Sequence, residues 1–470
     1  MSIEIDRGVL AQAEQYLTGV RRDLRLPGLA IAIIQGTEVV FLYGLGEAAP
    51  SRPVTPQTPF ILGSLSKSFT AMAIMQLVET GKVELDAPVQ HYISWFRVAN
   101  PAACSQITIR HLLTHTSGIS KYVGRELLAG KGNQTMEQQV RHLATVALTK
   151  PVGTTFQYSN TNYLILGLVI QMVSGQPYEF YIQQHIFAPL QMQHSFTSEK
   201  EAQQDGMATG YRWWFGFPIP AHVSYLADAL PAAFLISSAE DMAGYLIAYL
   251  NEGRYGEASV LSAAGIAELH RPQVEIAPGN AYAMGWRVEL WDGVRVLRHG
   301  GETANWRAEM VLLPEKSRLG IIVLTNANNG LVAQLGLDQI AAGVVKLLLG
   351  QQLQRSKLTL RRFYLLLDGA MALLTSLQIW AFVRLLRRWH QPIQGRALPF
   401  VNQAVLSLIA LVLPLSLLKR IPKWADAPWS LLSLYVPDLS SWLAGISLLS
   451  FITGIMRIGR IFLRLRKGLK

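Results

Sequence analysis

The sequence predicts an α/β (α+β) fold, an antiparallel sheet flanked by helices with an all-helical subdomain, followed by three transmembrane helices. Three observations predict it. Two apolar β-type runs near the start and four more before residue 330 enclose a long stretch of helical periodicity. Three apolar runs in the last 120 residues each approach the ~17–25 residues needed to span a bilayer. Charge divides the chain at the same place. From Gln351 onward there are 17 Lys and Arg but 3 Asp and Glu, a net of +14, whereas the preceding residues carry −3.

Residues 28–35 and 38–45 are β-rich runs separated by Gly36-Thr37, a hairpin signal. Phe60-Ile61-Leu62-Gly63 leads into a helical stretch over 64–80, which Gly81 stops as a C-cap. Phe69, Met72, Ala73, Ile74, Met75, Leu77 and Val78 make this helix apolar almost all round, so it belongs in the centre of the fold. Helical patterns recur at 108–113, 136–148, 161–174, 178–187 and 239–251. Strand patterns follow at 282–290, 294–298, 307–313 and 319–325, then a helix at 331–349. This order gives one domain over 1–350, a basic linker over 351–362 and a membrane domain over 363–470.

The predicted membrane helices cover 363–383, 397–418 and 439–456, with Asp368 in the first, Pro414 in the second and an interfacial segment bearing Trp429 and Tyr435 before the third. Three crossings put the large domain and the C-terminus on opposite faces. Ten basic residues flank one side (Arg384 to Arg396, and Arg457 onward) and seven the other. The positive-inside rule then places the large domain outside the cytoplasm, in a multi-pass cell-membrane protein. Against this, residues 1–26 are amphipathic and charged, without the apolar core of a signal peptide.

Several classes fall away. The +11 net charge belongs to the tail, so the large domain offers no basic face for nucleic acid. Cys104 is the single cysteine and excludes an intramolecular disulfide framework. His111 and His115 have a metal-pair spacing but no adjacent carboxylate, so no metal is expected.

The chemistry-bearing segments are three. Ser64-Leu65-Ser66-Lys67 puts a hydroxyl and an amine on one helix face, where a lysine with a lowered pKa can take the serine proton. Alone the pattern is unspecific, since Ser416 and Lys419 repeat it in a membrane helix. Tyr158-Ser159-Asn160, just before a helix, offers a phenol for proton transfer and an amide for a substrate carbonyl. His299-Gly300-Gly301 stands between two strand patterns, where two glycines allow close approach and the Glu302 N–H can face an oxyanion.

In this order and context the three segments resemble the motifs of serine β-lactamases and penicillin-binding proteins. The run 109–118 (IRHLLTHTSG), Pro151-Val152-Gly153, Tyr158-Ser159-Asn160 and the run 237–242 (SSAEDM) are similar to the class C β-lactamase and D-peptidase/esterase branch. The likeness covers about residues 7–350 and none of the tail. It implies a β-lactamase/transpeptidase-like fold, Ser64 as acylated nucleophile, Lys67 as its proton partner and Tyr158 as the base. Asn160 would bind a substrate amide, and the N–H groups of Ser64 and Glu302 would form the oxyanion hole. It implies no cofactor. His299 stands where the family often has lysine, and members with histidine there include esterases and D-aminopeptidase-like enzymes. Neutral near pH 7 and partly charged toward pH 6, it removes a fixed anchor for substrate carboxylates. The reading is a membrane-anchored hydrolase of small-molecule or peptide substrates, including cell-wall fragments, with the lipid bilayer as its other partner. Its alternative is a sensor that is acylated without turnover and signals through the helices.

Overall fold

The computed structural model describes residues 5–129, 134–316, 318–353, 358–390, 397–425 and 427–468. Helix α1 (Arg7–Leu24), capped by the Asp6 side chain, precedes the hairpin β1 (Gly28–Gln35) and β2 (Glu38–Ala49), with the two-residue strand β3 (Arg52–Pro53) beyond it. Gly36 makes the hairpin turn at φ 63°. The helix α2 (Ser66–Glu79) follows a 3₁₀ turn over Gly63–Leu65. Next come α3 (Ile109–Leu113), α4 (Asn160–Ser174) and α5 (Ala239–Leu250). The late strands are β4 (Val274–Ala277), β5 (Asn280–Tyr282), β6 (Arg287–Trp291), β7 (Val294–Thr303), β8 (Trp306–Leu313) and β9 (Leu319–Thr325), before α6 (Ile340–Leu348).

These strands form one nine-stranded antiparallel sheet in the order β4-β5-β6-β7-β8-β9-β1-β2-β3. The first strand thus pairs with the last, Ile31 opposite Val323. β1 is buried from Gly28 to Ile34 because both faces are covered. Ala30, Ala32 and Ile34 join the core with α2, α4 and α5, while α1 and α6 pack together on the other side. Phe69 of α2 stacks on Tyr245 of α5 at 3.9 Å between ring centroids, which ties the helical layer together.

Several predicted elements change; the helix expected over 136–148 is α-helical only over Met136–His142 and then makes a 3₁₀ turn over Leu143–Thr145. The helix carrying Ser64 starts two residues later, because the chain first makes the 3₁₀ turn with Gly63 at φ 55°. The run 282–290 is two strands. Gly285, at φ 80°, turns the chain against α2, where a Cβ would stand 3.0 Å from the Ser68 Cα. His299-Gly300-Gly301 lies inside β7, which continues to Thr303. The last helix, predicted over 331–349, is broken by Gly336 at φ 137° into Gly330–Ala333 and α6. The aromatic run from Tyr211 forms a small hairpin with strands Tyr211–Trp214 and Phe217–Pro220; Trp213 is buried, and Phe217 is exposed beneath the Arg25 guanidinium.

The C-terminal unit begins at Leu358 and holds the helices α7 (Leu360–Arg387), α8 (Ala397–Ala425) and α9 (Pro437–Gly468), with a short helix at Trp429–Tyr435. Three spans of 28, 25 and 27 residues are long and apolar enough to cross a membrane. At ~1.5 Å per residue each exceeds the ~30 Å hydrocarbon core. Hydrogen bonds link them: Trp442 Nε1 donates to Thr375 Oγ1 (2.9 Å), Gln378 Nε2 to the Ile446 carbonyl (3.0 Å), and Ser450 Oγ to the Ala410 carbonyl (3.0 Å). These bonds, and Gly454 lying close against Leu411, tie the three helices together. Arg355 and Lys357 of the basic linker, Arg396 of the first loop, and Lys470 lie outside the described residues.

Candidate active site

Ser64 is set in the 3₁₀ turn before α2 by two close approaches. Gly63 lies against β7, where a Cβ would stand 2.3 Å from the Glu302 nitrogen; Gly301 lies against the turn, where a Cβ would stand 1.9 Å from the Leu62 carbonyl oxygen. Only glycine permits both contacts. Gly300 instead faces open space. The Glu302 side chain is exposed and pairs with Arg307 at 3.1 Å, so only its backbone is directed at the Ser64 turn.

Lys67, one turn on, is fully buried. Its Nζ lies 3.0 Å from Ser64 Oγ, 2.8 Å from Asn160 Oδ1 and 2.6 Å from the Ala232 carbonyl oxygen. Burial holds its pKa well below the usual lysine value, opposed by the negative charge of Glu302. The Asn160 amide is partly spent, since its Nδ2 donates to the Gly124 carbonyl at 3.3 Å. Tyr158 lies with its ring 4.9 Å from Lys67 Nζ. Burial raises the pKa of its phenol, and a hydrogen bond with Ser64 opposes the rise only in part.

His299 is buried, with Nδ1 2.8 Å from the Gly300 carbonyl oxygen and Nε2 3.1 Å from the Tyr282 hydroxyl. A carbonyl can only accept, so Nδ1 carries the hydrogen and Nε2 accepts from Tyr282. Burial, then the charges of Lys67 and Arg287, push its pKa down to about 3. The expectation that His299 becomes partly charged toward pH 6 is therefore corrected: it stays neutral there.

The structure brings Ser64, Lys67, Tyr158, Asn160, His299, Gly301 and the Glu302 backbone together. It adds four groups that the sequence did not assign to the site. Tyr282 holds His299, and the Ala232 carbonyl holds Lys67; neither carries a motif. Half-buried Arg287 of β6 sits near enough to act on His299, Tyr158 and His115. His115, which the sequence marks for its spacing to His111 and within the run 109–118 but not as part of the site, lies with its ring 4.3 Å from that of Tyr158. His111 instead closes the capping box of Thr108 at the start of α3. On the reverse face of β7, Arg298 bridges Glu289 (2.9 Å) and Glu309 (3.0 Å).

The profile of the family described as Beta-lactamase matches residues 13–344. The protein flp of Staphylococcus aureus strain MW2 is 29% identical over 329 residues, 68% of this chain and 64% of that protein. The chain thus spans less than two thirds of the length of these staphylococcal relatives. Penicillin-binding protein 4 of Amycolatopsis lactamdurans is 26% identical over 70% of this chain and 87% of its own length. Among solved structures, the octameric penicillin-binding protein homologue from Pyrococcus abyssi superposes with a TM-score of 0.62 at 30% identity, over 73% of this chain and 78% of that one. EstCE1, a hydrolase with promiscuous acyltransferase activity, shares the fold at a TM-score of 0.59 and 22% identity, over 68% of this chain and 93% of its own. The chain belongs to the beta-lactamase family.

Proposed function

We propose that the chain is a serine hydrolase that forms an acyl-enzyme on Ser64 and acts on peptide, amide or ester bonds. One observation carries the reading: the hydrogen bonding of Lys67. A neutral lysine amine has two hydrogens and one lone pair. Asn160 Oδ1 and the Ala232 carbonyl can only accept, so they take both hydrogens and leave the lone pair facing the Ser64 hydroxyl. Lys67 takes the Ser64 proton as Oγ attacks the substrate carbonyl, and the N–H groups of Ser64 and Glu302 receive the oxyanion. Tyr158, a neutral phenol, relays a proton to the departing group and then orders the deacylating water. This revises the role the resemblance gives it, because a phenolate base is what burial opposes most. Asn160 orients Lys67, and its second Nδ2 hydrogen remains for a substrate amide.

The same reading assigns residues 1–350 to hydrolysis, 351–362 to a linker and 363–470 to anchoring in the cell membrane. The hydrolase domain faces outward, with cell-wall peptides or esters within reach and no nucleic-acid partner. A reporter fused after Lys470 that is active only outside the cytoplasm would reverse that orientation. For the chemistry, the full-length protein in detergent should be labelled by a fluorescent fluorophosphonate or penicillin, and Ser64→Ala should abolish labelling. Equal labelling of parent and variant would remove Ser64 as nucleophile.

A further inference from the structure

The geometry points to His115 as the residue that positions Tyr158 and Asn160 over Ser64, an inference that rests on the hydrolase reading above. His115 follows α3 at φ 59°, a backbone conformation a non-glycine residue adopts only when its surroundings hold it there. Its carbonyl accepts the Gln157 N–H at 2.8 Å, and its Nδ1 accepts the Ser159 N–H at 3.2 Å. The residues on either side of Tyr158 are thus bonded to one histidine, whose ring also lies against the Tyr158 ring. Ser159 is the cap from which α4 starts, with Asn160 its first residue.

The donors and acceptors around this imidazole leave one arrangement. The Ile119 N–H donates to Ser117 Oγ (3.2 Å), and Ser117 Oγ donates to Asn162 Oδ1 (2.7 Å). The Ser159 backbone N–H can only donate, so Nδ1 accepts, and Asn162 presents Nδ2, a donor, to it at 3.1 Å. With two N–H groups aimed at it, Nδ1 can only accept, and the ring hydrogen sits on Nε2. That atom is buried without a hydrogen-bond partner among the described residues, and the imidazole centroid lies 5.2 and 5.0 Å from the ring centroids of Tyr163 and Tyr282. The site tolerates an unpaired donor in order to keep an acceptor beneath the Tyr158 loop. A histidine that only filled space would serve equally well with its other nitrogen bare.

Asparagine separates these roles, because it tolerates left-handed backbone and carries an acceptor near the place of Nδ1. In full-length protein in detergent, His115→Ala should lower kcat for p-nitrophenyl butyrate about 10- to 100-fold, the scale of an ångström of misplacement. KM should stay within about threefold, and His115→Asn should recover most of the rate. In ¹⁵N-histidine-labelled parent at pH 7, the imidazole signal lost on His115→Asn should show a bare Nδ1 and a protonated Nε2. The proposal is overturned if His115→Ala keeps the parent rate, if both variants are equally slow with parent-like melting, or if that signal carries its proton on Nδ1. Should the alanine variant not fold, the asparagine variant and the spectrum decide. Absence of Ser64 labelling in the parent would sink the hydrolase reading instead, and the spectrum would still test the geometry.

Discussion

The Cβ that Gly63 lacks would stand 2.3 Å from the backbone nitrogen of Glu302, so the turn before Ser64 and strand β7 touch through bare backbone. This contact sets the distance between the two N–H groups assigned to the oxyanion. Gly63→Ala must push β7 away or abandon φ 55°. Loss of one oxyanion donor costs about 10²–10³ in rate. The acylation rate of Gly63→Ala, followed with a fluorophosphonate, should fall by that order while the protein still folds. A rate within about threefold of the parent would mean that the two amides do not act together.

The pH dependence of acylation should show an acid limb belonging to Lys67, with activity rising as pH rises and the ammonium loses its proton. Glu302 supports the charged form, so Glu302→Gln should lower the Lys67 pKa further and move the limb to lower pH. The exposed side chain of Glu302 keeps the shift below about one unit. A kcat/KM profile of both proteins from pH 4 to 9 measures it, and movement toward higher pH would contradict Lys67 as the base.

Substrate charge should be read by Arg287. His299 stays neutral, and a cation introduced there by His299→Lys would be buried beside Lys67 and Arg287, so that variant should lose activity on every substrate. Arg287→Ala should lower kcat/KM for carboxylate-bearing substrates relative to neutral esters. One hydrogen bond to a charged group contributes roughly 1.5–3 kcal/mol, which corresponds to about ten- to a hundredfold. An unchanged ratio would show that Arg287 does not meet the substrate.

Glu309 gives a stability prediction. Burial pushes its carboxyl up to about 7 despite Arg298 and Arg307. The folded state therefore keeps this proton where the unfolded chain has lost it, and stability contributed below pH 4.5 is lost as pH rises toward 7. The melting temperature of the sheet unit should fall across that window. Glu309→Gln should flatten the slope and remove up to about 3 kcal/mol of the total change across that window. An identical slope in the variant would mean that other groups carry it.

Much of this was legible in the sequence, because the motifs sit on elements with strong local signals. The hairpin turn at Gly36-Thr37, the apolar helix behind Lys67 and the strands on either side of His299 follow from short-range patterns. The break at Gly285 was hidden, since the residues on both sides of it are buried and read as one apolar run. The Ala232 carbonyl was hidden because any residue type supplies one. His115 was visible as a histidine but not as a clamp, because its partners Gln157, Ser159 and Asn162 lie more than forty residues away.

The pairing of β1 with β9 constrains how the protein can be made. A growing chain exposes the apolar central strand from the outset, yet its partner is synthesised almost three hundred residues later. Contacts of such long range are slow to form and leave sheet edges open to aggregation. Ser64 and Lys67 likewise wait for Glu302 before the nucleophile has its surroundings, so a truncated chain ending before β7 should be inert. Shortly after β9 emerges, the first helix long and apolar enough to cross a membrane follows at Leu360. Closure of the sheet and burial of the apolar C-terminal helices thus come due together, and a delay in either leaves apolar surface for chaperones to cover.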